Sequence, residues 1–562
     1  MWASGRGGSL RRVALPLQHG VFLAGACWVP LSLSLLCVGL CHQGTEGRPD
    51  LKVGGKCIER ERKALLAVRA DIWYAQNFSP FSSWEKINGE DCCLWEGVGC
   101  DDRSGHVIKL DLRRPLSSDD DDYYYEPRGY SKVSPSLLNL TSLRYLDLSY
   151  NDFGGAPMPS FVGSLVNLEY LNLSQALFFG TVPPQLGGLR HLHSLDLSGN
   201  PLEVENLHWL SHLSHLQYLD MSRVDLSAAT DWLHVINSIP SLSVVRLSEC
   251  WLQNLPTTLP HVNFTSLFTL DLSWNFYYNS RWPLWLFNIT TLTELDFSYN
   301  FGLPGPIPDQ FEKMKHLEVL KLNGNYFGDV TPPSFLTLDK LKVLRLPAIR
   351  LPEHMEKLSN LRELVATRII GQMPESLGNL SHLESLSVGG HNTSRELLAY
   401  LGNLGKLKRL HLFLDNFHGC IPESLGNLSQ LESLYIEGDN ITVGIPKSLG
   451  NLVNLKDLIL FSYGTIGGGI LESLGNLRGL KTLHVSGFNI SQDLLRNIST
   501  HRCNLTHLEM SWNIGRGAEV NELFEGLSQC TKGSSLEHLA LEGNGFGGHL
   551  PDQKIITVCT VI

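Results

Sequence analysis

Positive charge is scarce in this chain, as are long apolar runs and the signatures of catalysis. Lys and Arg number 45 against 56 Asp and Glu, a net charge of −11, and no basic stripe interrupts the sequence. That balance leaves no electrostatic footprint for a phosphate backbone, so nucleic acid is not expected as a partner. After Leu112 no stretch approaches the run of about 18 apolar residues that a membrane-crossing helix needs, so no carboxy-terminal membrane helix is expected. A phosphate-binding glycine loop, an HExxH helix and the kinase signature set are all missing, and Gly543–Gly548 (GNGFGG) reads as a turn. No catalytic residue, metal ligand or cofactor is expected, and the chain is read as a non-enzyme. One long apolar stretch exists, Val21–Leu40. It follows Arg6, Arg11 and Arg12 and gives way to His42, Gln43 and Glu46, the order of a secretory signal, here assigned to residues 1–42.

What is present is repetition. The phrase LxxLxLxxN, or a close variant, opens eighteen times from Val107 to Leu536, mostly at intervals of 24 or 25 residues, as in LRYLDLSYN (Leu143–Asn151) and LFTLDLSWN (Leu267–Asn275). This period and spacing define the leucine-rich repeat. The second and third leucines alternate with polar residues, as a strand with one buried face requires, and the asparagine amide offers a donor and an acceptor to the turn behind it. One repeat cannot bury its own leucines, so stacking is obligatory. The expected fold is an α/β repeat solenoid, a curved superhelix of about 18 repeats over residues 107–551, preceded by a disulfide-bonded cap over 43–106 and followed by an aberrant tail over 552–562. The asparagine position holds Ile349, Ile369, His391, Asp415, Asp439, Tyr463 and Phe488 in successive middle repeats. Those turns must close differently, and the sequence leaves tuning for a partner and drift equally open.

Cys57, Cys92, Cys93 and Cys100 cluster ahead of the first repeat, where the open solenoid end needs cover, and three disulfide pairings are possible by spacing. Cys503 and Cys530 bracket the one long repeat as a candidate third bridge, while Cys420 has no evident partner. Sequons for N-glycosylation stand at Asn77, Asn139, Asn172, Asn263, Asn288, Asn379, Asn392, Asn427, Asn440, Asn489, Asn497 and Asn504. The histidines His191, His193, His208, His212 and His215 read as solvated loop positions. The acidic tyrosine-rich insertion Asp119–Glu126 reads as a solvated loop.

Ahead of the repeats stand CIERERKALLAVRADIW, with Ala64, Leu65 and Leu66 on its helix, then SSW at Ser82–Trp84 and CCLWEGVGC at Cys92–Cys100. These motifs resemble the amino-terminal cap of plant leucine-rich-repeat receptors. The CIERER start and the GHVIKLDL exit are most similar to the receptor-like proteins, the kinase-lacking group that includes the fungal xylanase receptors and the apple scab resistance homologues. The resemblance implies the pairs Cys57–Cys92 and Cys93–Cys100. It also implies a second short strand wherever glycine precedes an Ile-Pro or Met-Pro pair, as at Gly305–Pro308, Gly371–Pro374, Gly419–Pro422 and Gly444–Pro446. Members of that group continue through further repeats, an end cap and a membrane helix, so the chain is expected to be truncated at its carboxyl end.

By alternation, the residue between the second and third leucines faces solvent: Asp147, Asn172, Asp196, Asp220, Arg246, Asp271 and Asp296, then Lys321, Arg345, Val365, Ser387, His411 and Tyr435. Polarity therefore switches along the solenoid. Lys321, Arg345, Arg368, Arg409 and His411, with Trp274 and Tyr299, form the candidate site for a carboxylate or acidic stretch of an extended ligand. Reversing Lys321 and Arg345 is expected to leave melting nearly unchanged, as exposed positions do. The implied function is an extracellular ligand-recognition module in plant defence or development, binding a peptide or protein and acting through a partner leucine-rich-repeat receptor kinase. The alternatives are a soluble inhibitor of a cell-wall hydrolase, like the polygalacturonase inhibitors, and a non-functional fragment. The implied location is the secretory pathway and then the plasma membrane, or the apoplast if the chain ends as written.

Overall fold

Each LxL phrase forms a short strand because its middle leucine drops into the core while the flanking residues turn away. Tyr145–Asp147, for example, buries Leu146 completely, with Leu143 and Leu148 beside it. Among the described residues eighteen such strands, from Val107–Asp111 to His538–Ala540, pair in parallel, each with the strand of the next repeat and with the central Leu or Val in unbroken register. The expected repeat solenoid is therefore present, with one core stripe running its length.

The computed structural model describes residues 56–72, 83–84, 91–114, 130–277, 281–300, 303, 305–328, 330–390, 395–414, 421–438, 446–463, 477, 479–500, 504–514, 517–528, 535–549 and 560–561. All belong to one unit, Gly54–Ile562. The signal-like segment, the insertion Asp119–Glu126, Cys420, Cys503 and Cys530 lie outside them.

Behind the strands, most repeats return through a single 3₁₀ turn such as Ser160–Ser164 or Glu423–Asn427, closed by the N–H of the next leucine onto the carbonyl three residues back. The turns stack so closely that a β-carbon on Gly426 would collide with the Ser448 carbonyl, which explains the recurring LGNL phrase. Among the described residues four repeats use an α-helix instead: Trp232–Asn237, Arg395–Leu401, Gln492–Thr500 and Asn521–Ser528.

The cap consists of the helix Glu59–Asp71 and a hairpin in which Val98–Cys100 pairs antiparallel with Val107–Asp111. Ala64, Leu65 and Val68 of the helix are buried, and Trp84 stacks on Trp95 at 4.6 Å. Disulfides join Cys57 to Cys92 and Cys93 to Cys100, the pairing that the family resemblance implies. Glu61, which sequence reasoning passed over, is buried and accepts from the Val107 N–H and the His106 Nδ1, both at 2.7 Å. It thus supplies the first repeat strand with a partner that no preceding repeat can provide.

One expectation needs correction. The described segments Gly305–Ile307 and Gly371–Pro374 form no second strand. Second strands occur instead at Gly180–Thr181 with Leu202–Glu203, and as isolated pairs such as Val330 with Arg350 and Ile349 with Ile369. A glycine and a proline set the bend there, but a neighbouring repeat must offer an extended segment at the same height for pairing to follow. In the carboxy-terminal tail, Thr560–Val561 pairs in parallel with His538–Leu539 and continues the sheet.

Candidate ligand-binding face

The row expected to face solvent starts as a hydrogen-bonded shelf. Asp147 is fully buried, and Asp220 and Asp296 nearly so. Each accepts through Oδ1 from the N–H of the serine two residues on, and Asp147, Asp196, Asp271 and Asp296 from that serine's hydroxyl too, at 2.6–2.7 Å. The LDLS phrase is therefore a local capping motif, in which aspartate closes the strand end rather than presenting a free charge. Asn172 makes the same bonds to Ser174.

Packing these carboxylates on adjacent strands has an electrostatic cost. Burial, then Asp220, pushes the Asp196 carboxyl up to about 6; burial, then Asp296, pushes that of Asp271 up to about 7. Arg246 and Lys321 temper the row. Arg246 stands in register between Asp220 and Asp271 and donates to the Tyr218 hydroxyl. Lys321 lies 3.0 Å from Asp296 and 3.6 Å from Glu294.

The asparagines close the turn behind each strand. Asn275 Nδ2 donates to the carbonyls of Leu247, Leu272 and Ser273, while its Oδ1 accepts from the N–H groups of Cys250 and Leu252. Asn200, Asn325, Asn513 and Asn544 repeat parts of this bridge. The residue just before the asparagine adopts a left-handed backbone, at φ 61° in Tyr150, 56° in Trp274, 55° in Tyr299 and 60° in Trp512. Such a conformation costs on the order of 1 kcal/mol or more in a bulky residue. It is held because each N–H donates to a carbonyl of the next repeat, Trp274 to Ser298 and Tyr299 to Asn323. The same geometry stacks Trp274 on Tyr299 with centroids 4.2 Å apart, although Trp274 remains 46% exposed.

The candidate residues divide accordingly. Arg345 is ion-paired to Glu363 at 2.7 Å, as Lys321 is to its carboxylates, so both are half-buried parts of the sheet's own charge balance. Arg368 and Arg409 are exposed, and neither makes an ion pair among the described residues. His411 is half-buried beside Tyr435 at 5.5 Å, and burial, then Arg409, holds its pKa below the ordinary histidine value. Trp274 and Tyr299 lie in the turns that follow the strands two and one before that of Lys321.

Sequence reasoning missed a group in the middle repeats. In the repeats that carry Ile369, His391, Asp415, Asp439, Tyr463 and Phe488 at the asparagine position the strands lengthen: Glu363–Ile369, Ser385–Gly390, Arg409–Leu414, Ser433–Gly438, Asp457–Ser462 and Thr482–Ser486 run for five to seven residues instead of three. Each extension adds an outward position, and Phe413, Glu437 and Phe461 occupy three in register. Continued alternation past the third leucine was the available signal.

Of the sequons, Asn263, Asn288, Asn379, Asn427, Asn489 and Asn504 are exposed, whereas Asn139 accepts from Arg60 and Asn172 is held on the strand face. Asn497 lies on the helix Gln492–Thr500, and Asn77, Asn392 and Asn440 fall outside the described residues.

Comparison with known proteins agrees with this architecture. The leucine rich repeat N-terminal domain matches residues 58–101, the leucine rich repeat 141–202, and the leucine-rich repeat region 303–419 and 364–541. Receptor-like protein EIX1 of Solanum lycopersicum is 40% identical over 275 residues, 48% of this chain and 26% of that protein. Receptor-like protein EIX2 of the same plant is 36% identical over 330 residues, 57% of this chain and 31% of its own. The chain thus spans less than a third of the length of these relatives. Among solved structures, the Arabidopsis receptor kinase HAESA, in complex with the peptide hormone IDA and the co-receptor SERK1, superposes with a TM-score of 0.52 at 22% identity, covering 90% of this chain and 89% of that one. The Leptospira interrogans protein LIC12759 gives 0.52 at 23% identity over 67% and 92%. These likenesses establish the fold. Cap, repeats and relatives agree: the chain carries a leucine-rich-repeat array behind a leucine-rich-repeat N-terminal domain and is similar to the receptor-like proteins of plants.

Proposed function

We propose that the chain is an extracellular recognition module in defence or developmental signalling, which takes a peptide or protein ligand on the open face of its sheet and acts through a partner receptor kinase. One observation carries this reading: eighteen parallel strands in register present a continuous face whose outward row passes from carboxylates to cations to aromatics. At about 4.8 Å per strand that face is roughly 80 Å long, enough for an extended polypeptide. Arg368 and Arg409 are the cationic contacts open to a ligand, with the half-buried His411 a neutral ring beside them; Lys321 and Arg345 shape the nearby charge, and Trp274 and Tyr299 offer a stacked aromatic anchor. The relatives are named as receptor-like proteins, and the HAESA structure holds a peptide hormone, which supports the reading. Entry into the secretory pathway and residence at the plasma membrane or apoplast belong to the same proposal, as do glycans on the exposed sequons.

The test is selection of peptides of about twelve residues, long enough to cross about eight strands, on the secreted full chain. Recovered binders should lose at least about tenfold in affinity on Arg368→Glu with Arg409→Glu, an effect strongest at low salt. Failure to recover any binder, or binders indifferent to every substitution on this face, overturns the reading.

A further inference from the structure

Among the described residues, Glu437 is a carboxylate without a cation. It sits on the open face of Ser433–Gly438, in register between Phe413 on one neighbouring strand and Phe461 on the other, and on the same face as Tyr435 two residues before it. Its two oxygens are held separately: Oε1 accepts from the Tyr463 hydroxyl at 2.6 Å and Oε2 from the Tyr435 hydroxyl. Tyr435 in turn lies 5.6 Å from Phe413 and 5.8 Å from Phe461, ring centroid to centroid, and Phe461 packs edge-on against His484 at 4.4 Å. Among the described residues no Lys or Arg pairs with Glu437, whereas Glu363 is paired with Arg345, Glu384 with Lys408 and Glu432 with Lys456.

We propose that Glu437 and the rings around it form a receptacle for a lysine or arginine side chain of a polypeptide laid across the open face, an inference that rests on the recognition function proposed above. An ionised carboxylate has about four lone-pair sites, and two phenols occupy only two of them, so a cation can still be hydrogen-bonded. The phenols fix the carboxylate in place before the ligand arrives, and the faces of the surrounding rings attract positive charge. The occupant is a tethered side chain rather than a free small cation because the site is an open sheet face. An exposed ion pair alone contributes little, so a lone ammonium would not stay without contacts made by neighbouring parts of the same chain. Charge complementarity gives a spacing. Arg368 lies three strands away at about the same height, roughly 14 Å. A ligand that puts a basic residue on Glu437 would put an acidic one about four or five extended residues along, over Arg368.

The peptide selection on the full chain tests this directly. The expected result is a recurring Lys or Arg in the recovered peptides, with affinity about tenfold lower on Glu437→Gln and on Phe413→Ala with Phe461→Ala. Tyr463→Phe, which leaves the charge but frees one oxygen, should give a smaller loss. If Glu437→Gln melts earlier than the parent, Tyr463→Phe decides, since Tyr463 is 64% exposed and its ring remains. Binders without a basic residue, or with affinity unchanged by these substitutions, overturn the receptacle while a loss on Arg368→Glu with Arg409→Glu keeps the recognition reading. Recovery of no binder overturns both.

Discussion

The repeats from Leu143 to Asn325 and those from Leu361 to Tyr463 solve one problem in two ways. In the first group most strands are three residues long and stop at an asparagine or its stand-in Cys250, whose side chain bonds the backbone of its own and the preceding turn. In the second group the asparagine is gone and the strand runs on, so the backbone groups it would have satisfied pair with the neighbouring strands. A side-chain ladder has been exchanged for a main-chain ladder. The exchange has a functional consequence, because the longer strands carry the extra outward position that holds Phe413, Glu437 and Phe461.

That contrast can be broken first at the main chain. Ile436→Pro, inside Ser433–Gly438, removes a ladder donor as well as buried packing and should cost at least about 3 kcal/mol, read as a lower melting temperature and loss of amide protection over the middle repeats. The asparagine position offers a paired comparison next. Asn275→Ala strands the N–H groups of Cys250 and Leu252 and three carbonyls, for a cost of about 2–3 kcal/mol. Tyr463→Ala at the equivalent position should cost below about 1 kcal/mol. Equal losses in thermal melts would show that the two groups close their turns alike.

The acidic shelf of the first group predicts a pH dependence of intermediate size. Asp196 and Asp271 keep their protons in the folded chain up to about 6 and 7, whereas the unfolded chain sheds them near the ordinary value of 3.8. The folded state is therefore favoured on the acid side and loses that advantage as the pH climbs through 6 and 7. Asp196→Asn with Asp271→Asn preserves the bond to serine, as Asn172 does, and should raise the melting temperature more at about pH 8 than at about pH 5. A pH-independent difference would remove the like-charge explanation.

The smallest effects separate the four cations. Lys321→Glu with Arg345→Glu places new carboxylates against Asp296, Glu294 and Glu363, and should destabilise by about 1–2 kcal/mol. This corrects the expectation of unchanged melting. Arg368→Glu with Arg409→Glu should shift stability by no more than about 0.5 kcal/mol.

The leucine period alone determined the solenoid, the number of repeats and the register of the sheet, because burying the first, fourth and sixth residues of a phrase that recurs at a fixed interval admits only stacking. The cysteine-rich cap motif likewise carried the disulfide pairs through its family likeness. What the repeat phrase could not convey was the fate of each polar side chain. Asp147 meets a serine only two residues on, but whether Lys321 is free or bound to Asp296 depends on the residue one strand away, 25 positions distant in the chain. The lost asparagines were visible, but the longer strands that replace their turns, and the ring-bounded Glu437 they expose, came into being only when neighbouring repeats aligned. Local sequence sets which face a residue occupies, and only the stacked neighbour decides what that residue touches.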